Sequence, residues 1–197
     1  TGEIPAFARS GTAKARAWVE ANKATLPDTY ETITSYPLEY RRAIFTTLPT
    51  EKKIDLWLEQ IRLYRAEHPS LSPLQDKVLR QAPDFLSTTG TRLYTLSAQT
   101  KEVAEEVDRT KANLRKDAIE AFGYNDARSL IGTLGGDEFS VPPDSHEAGA
   151  TALDCECNNP DSWCGWGWAC WSQPQIECDI QDGCGEFWCC VCNGRCV

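Results

Sequence analysis

From Thr12 to Leu134 the large apolar residues recur at spacings of three and four, the period of a helix that buries one face, and nowhere alternate convincingly with period two. A first helix is predicted from near Thr12, with Trp18 and Val19 as its large apolar groups and Pro27 closing it. Residues 37–48 follow, with Pro37 at a first helical position and Leu38, Ala43, Ile44, Phe45 and Leu48 inward. Thr50 is the expected N-cap of a helix carrying Ile54, Trp57, Leu58, Ile61 and Tyr64 and ending before Pro69. Ser72-Pro73-Leu74-Gln75 reads as a capping box, and Leu74, Val78, Leu79 and Ala82 continue the stripe until Pro83 kinks or stops it. The longest helix is expected from about Thr91 to Phe122, with Gly123 as its C′ residue and Asn125 or Asp126 capping a short last helix through Leu134. Residues 1–135 therefore predict an all-α domain whose apolar stripes form a bundle core.

The pattern changes after Leu134. Residues 136–154, with paired prolines, glycines and several acids, have too few apolar groups to pack and read as an exposed linker, where proteolysis concentrates. All ten cysteines follow: Cys155, Cys157, Cys164, Cys170, Cys178, Cys184, Cys189, Cys190, Cys192 and Cys196. Trp163, Trp166, Trp168, Trp171 and Trp188, five of the seven tryptophans, share the segment. A stretch near the lower length limit for unaided folding needs staples, so residues 155–197 read as a disulfide-stapled module. The rival is a metal cluster, but the segment contains no histidine and no paired CxxC spacing, and its gaps hold large aromatics, which favours disulfides. The expected fold class is mainly α, an N-terminal helical bundle followed by a small disulfide-rich module.

Composition narrows the function. Net charge is −9, and residues 151–197 carry seven acids against the single base Arg195. No basic stripe is available for nucleic acid, and a cationic attraction to anionic lipid is disfavoured. No run approaches the ~20 apolar residues of a transmembrane helix. The lack of methionine leads us to expect that a segment before Thr1 has been removed, a signal peptide fitting the cysteine content, and hence that the protein is secreted. Only His68 and His146 are present, in no ligand spacing, and Asp144-Ser145-His146 are too close in sequence to form a triad. No catalytic residue, metal or cofactor is expected, and the chain does not read as an enzyme.

The order of Cys155, Cys157, Cys164, Cys170, Cys178, Cys184, Cys190 and Cys192, with Gly183 and Gly185 flanking Cys184, Trp188 as the following aromatic and Asn193-Gly194 at the end, resembles the family of proteins related to the bacteriocin fulvocin C. The resemblance covers roughly the last fifth of the chain; the gaps around Cys178 are shifted by about two residues, and Cys189 and Cys196 are additional. Because the other eight already make an even set, Cys189 and Cys196 are expected to bond to each other. The resemblance implies a secreted antibacterial precursor: the C-terminal module is the toxin, a processing protease releases it in the linker, and a receptor or envelope component of bacteria is its target. The five tryptophans are the candidate contact surface, the other reading being that they cover the bridges. If the helical part masks that surface, Trp166 and Trp168 should lie against it or against the linker. The alternative function is a secreted disulfide-rich binding or inhibitor module with a helical partner domain, to which acidic charge is suited.

Overall fold

The apolar stripes form seven α-helices among the residues that the structure, a computed structural model, describes: 11–136, 154–158, 163–164, 168–172 and 174–197. They are α1 (Gly11–Ala21), α2 (Tyr30–Thr34), α3 (Leu38–Thr47), α4 (Thr50–Glu67), α5 (Pro73–Leu93), α6 (Lys101–Phe122) and α7 (Tyr124–Ile131). Helix α4 packs on α5, α5 on α6, α6 on α7 and α1 on α3. Among the described residues up to Gly136 there is no strand. The protein is mainly α, with a C-terminal cysteine-rich region of short strands.

The capping box of α5 is formed: the Ser72 hydroxyl accepts from the Gln75 amide at 3.2 Å, and the Gln75 side chain accepts from the Ser72 amide at 2.9 Å. Gly123 ends α6 with φ +79°, as expected of a C′ residue. Several boundaries differ from the expectation: α1 stops at Ala21, well before Pro27, Pro37 precedes α3 instead of opening it, and α7 stops at Ile131, before Leu134. Pro83 lies inside α5, which runs on to Leu93. A proline in a helix interior costs about 3 kcal/mol, and here the burial of Ala82, Phe85, Leu86 and Leu93 on both sides of it outweighs that. The helix expected from Thr91 begins at Lys101, after a 3-10 turn at Leu96–Ala98, with Thr100 as its N-cap. The apolar spacing continued across this break because both helices face one core. Pro49 and Gly123, rather than Thr50 and Asn125 or Asp126, precede α4 and α7. Helix α2, capped by Thr29, is too short to show a period.

Gln60 of α4 closes the bundle against the end of α7. Its buried amide donates to the carbonyls of Ser129, Leu130 and Thr133 at 3.0, 2.9 and 3.0 Å, groups that a helix end leaves without partners. Its oxygen accepts from the Gly135 amide at 2.7 Å. Gly135 has φ +90°, and a Cβ there would meet Thr34 Cγ2 at 2.6 Å, so both conformation and space require glycine. The chain is thus fixed to the bundle up to the point where the linker was expected to begin; residues 137–153 lie outside the described residues.

The C-terminal region holds two antiparallel ribbons. Strand β1 (Cys170–Ser172) pairs with β4 (Gly194–Cys196), placing Trp171 opposite Arg195, and β2 (Gln181–Cys184) pairs with β3 (Cys190–Cys192) with an irregularity between Asp182 and Cys184. Strands of three or four residues have little stability of their own. The large aromatics of this region do not pack around its bridges alone: Trp163, Phe187 and Trp188 belong to the same buried cluster as Trp57, Phe45, Leu86 and Leu130 of the bundle. One apolar core runs across the boundary between the helical part and the cysteine-rich part.

Candidate functional site

All ten cysteines are bridged: Cys155–Cys178, Cys157–Cys170, Cys164–Cys196, Cys184–Cys192 and Cys189–Cys190. The expected Cys189–Cys196 bond is not formed. Pairing of β1 with β4 sets Cys196 beside Cys170, in one buried cluster with Cys164, whereas Cys189 follows the buried turn of Phe187 and Trp188 and packs against the helical core. Cys157, Cys164 and Cys170 bring their sulfurs within 4.8 Å of one another, a spacing that suits a metal, but each is already in a bridge and offers no thiolate.

Two successive left-handed residues carry the junction. Phe187 (φ 56°) and Trp188 (φ 52°) lie in a region that non-glycine residues seldom occupy, at a typical cost of about 1–3 kcal/mol each. The conformation turns both rings into the bundle. Trp188 sits edge-on to Phe45 and Trp57 at 5.3 and 5.8 Å, and Phe187 lies 5.4 Å from Trp57 and 5.8 Å from Phe85. Their polar atoms are matched as well: the Trp188 indole donates to the Gly132 carbonyl at 3.0 Å, and the Tyr94 hydroxyl donates to the Phe187 carbonyl at 2.8 Å. Burial pushes the Tyr94 phenol well above its ordinary range. Trp163 lies under the Arg115 guanidinium, 4.7 Å from its ring, and against Tyr124, whose hydroxyl donates to the Cys164 carbonyl.

Charged groups are enclosed at the same junction. Lys111 of α6 is fully buried, its Nζ 3.2 Å from Asp108 and 3.4 and 3.6 Å from the sulfurs of Cys189 and Cys190. Buried Glu186 lies 3.5 Å from Arg115. Buried charges are tolerated when they are paired, and this set ties α6 to the turn before β3. Further contacts join α1: the Thr12 hydroxyl donates to Gln181 at 2.7 Å, and Arg16 donates to the Ile180 carbonyl at 2.9 Å.

The five candidate contact tryptophans divide. Trp163 and Trp188 are buried against the bundle, Trp168 and Trp171 stand 48% and 55% exposed, and Trp166 lies outside the described residues. Trp168 is not buried against the helical part, and residues 137–153 of the linker, the other expected contact, lie outside the described residues; the rings that pack on the bundle are Trp163, Trp188 and Phe187. The pair of left-handed residues is the signal for them in the fold, and the sequence shows only its flanking Gly185. Val197, also exposed, is hydrogen-bonded through its backbone to Ala169 at 2.9 and 3.0 Å, next in the chain to Trp168.

His68 stacks on Tyr64 with ring centroids 4.0 Å apart, while His146 lies outside the described residues. No helix among the described residues is long and apolar enough to cross a membrane. No family model, curated protein or solved structure matches this chain.

Proposed function

We propose that the protein is a secreted antibacterial precursor of the kind its fulvocin C-like cysteine order implies, in which the disulfide-rich segment is the active part and the helical part holds it inactive. The observation that supports the reading is the burial of Trp163, Phe187 and Trp188 in the helical core. A cleaved and separated segment of this size would present three large aromatics that it is too small to bury. Indole rings at a surface suit membrane interfaces and protein contacts. The segment is acidic, so its target is a protein or an uncharged envelope component, and killing is expected to change little with salt.

The test is a growth-inhibition assay with three samples: the intact oxidised protein, the protein cut between residues 137 and 153, and the separated oxidised segment. Inhibition by the separated segment, absent from the intact chain, is the expected result. Inactivity of all three against a broad panel of bacteria, with the disulfides intact, would remove the antibacterial reading.

One observation favours a second reading. Trp168, Trp171 and Val197 stand exposed in the intact chain, without any cleavage, and a binding surface could be built on them. A binding or inhibitor protein that works as one piece would use that surface. Capture of a protein partner by the intact chain, lost in Trp171→Ala, together with inactivity of the separated segment, would decide for it.

A further inference from the structure

Arg42, on α3, is buried to within 9% of its surface; its buried Nε has no hydrogen-bond partner among the described residues, and the carboxylates of Glu39, Glu156 and Asp154 act on its charge only through space. Burial holds its pKa down to about 10, with Arg128 adding a second push in the same direction, so the group is still charged near neutral pH. The ring of Trp188, 5.9 Å from Cζ, gives only a distant cation–π contact. A buried guanidinium held only by charges at a distance is costly, and folds normally give it a direct hydrogen-bonded partner.

The side chain is not loose. Gly183 of β2 (φ +92°) lies directly over its aliphatic stem, where a Cβ would meet Arg42 Cγ at 2.7 Å. Arg42 lines a cleft of about 290 Å³ between α1, α3 and β2. The cleft is lined by apolar Val19 and Ala43, by a second cation, Arg16, and by three carboxylates, Glu20, Glu39 and Asp182. Arg16 is engaged by the Ile180 carbonyl and Glu20 by Lys23 at 3.7 Å. Glu39, one turn before Arg42 on α3, makes no direct hydrogen bond or ion pair among the described residues and acts on Arg42 only through space, so one wall of the cleft carries a guanidinium and a carboxylate with no direct bond between them.

We infer that this cleft binds a small zwitterion of amino-acid type, its carboxylate on Arg42, its ammonium on Glu39 with Asp182 nearby, and its side chain against Val19 and Ala43. A plain anion would satisfy Arg42 and meet three carboxylates; a plain cation would leave Arg42 as it is. A ligand carrying both charges answers both groups, and a guanidinium is the donor whose planar fork matches a carboxylate. Small-molecule sites usually run from about 300 Å³ upward, so this volume suits a single amino acid rather than a peptide. The inference does not depend on antibacterial activity.

The test is calorimetric titration of the full-length oxidised protein with L-leucine, with 4-methylpentanoate, which lacks the ammonium, and with leucinamide, which lacks the carboxylate. Leucine is expected to bind saturably, and each half-analogue at least about tenfold more weakly, a difference of about 1.4 kcal/mol. Arg42→Gln should abolish leucine binding, and Glu39→Gln should bring leucine down to the affinity of 4-methylpentanoate. Because Arg42→Gln alters a buried site, Ala43→Phe provides an independent check: it leaves both charges in place and fills the cleft, and should abolish binding in a protein whose circular dichroism is unchanged. Absence of saturable leucine binding to the wild-type protein, equal binding of leucine and leucinamide, or leucine binding that persists in Ala43→Phe would overturn the inference.

Discussion

Replacing Trp188 by alanine tests whether the cysteine-rich segment and the bundle share one cooperative core. The side chain is 3% exposed, contacts Phe45 and Trp57 edge-on, and donates to the Gly132 carbonyl. Truncating a buried large aromatic costs about 3–5 kcal/mol, and an orphaned carbonyl falls within the same difference, so about 4 kcal/mol is expected. For a chain of this size each kcal/mol moves the thermal midpoint by roughly 2–4 °C, which predicts a fall of about 8–16 °C. The readout is far-ultraviolet circular dichroism under oxidising conditions, because that signal comes from the helices and not from the segment holding the mutation. Trp171→Ala, at a side chain more than half exposed, is the control and should stay within about 0.5 kcal/mol of wild type. A helical transition that is unchanged in Trp188→Ala would refute the shared core and mean that the bundle folds without regard to the segment docked on it.

Gln60→Leu removes an amide that serves Ser129, Leu130, Thr133 and Gly135 together, and is expected to cost about 3 kcal/mol by denaturant titration, chiefly from buried backbone groups left without partners. Serine replacement of Cys164 and Cys196, which close a span of 32 residues, should destabilise more than replacement of Cys184 and Cys192, which close a span of 8, since the longer loop gains more unfolded-state entropy; equal losses would contradict that account. Gly183→Ala should cost about 1–3 kcal/mol, from the positive φ and the close approach to Arg42, with the loss again read by thermal denaturation. Tyr94 is held neutral by burial, so above about pH 10 the unfolded chain releases a proton that the native state retains, and stability falls as pH rises further; Tyr94→Phe should flatten that alkaline slope while lowering stability at neutral pH, where the Phe187 carbonyl loses its donor.

Much of the helical part is legible in the order of residues because its signals are local. The stripes of α4 and α5, the Ser72 capping box and the stop at Gly123 depend on neighbours within a turn or two, and they form as read. Spacing could not show that Pro83 would stay inside α5, since the stripe is the same whether the proline bends the helix or ends it, and the burial that outweighs its cost belongs to other helices. Local pattern also could not mark the break before Lys101, because two helices that face one core carry one continuous period across the turn between them.

In the cysteine-rich segment, composition and spacing favoured bridged over metal-bound thiols, and all ten cysteines are bridged. Which sulfur meets which was a matter for the fold. Cys196 reaches Cys164 only because β4 pairs with β1, and Cys189 bonds its neighbour on the far side of a turn that faces Lys111. The same holds for the tryptophans, which composition treats alike. Trp163 and Trp188 are buried and Trp168 and Trp171 exposed because a side chain's burial is set by what the rest of the chain brings against it, and here that is a bundle separated from them by many residues in sequence. The burial of Arg42 belongs to this second kind of information as well: a guanidinium among polar neighbours on a helix looks ordinary until Gly183 is found lying across its stem.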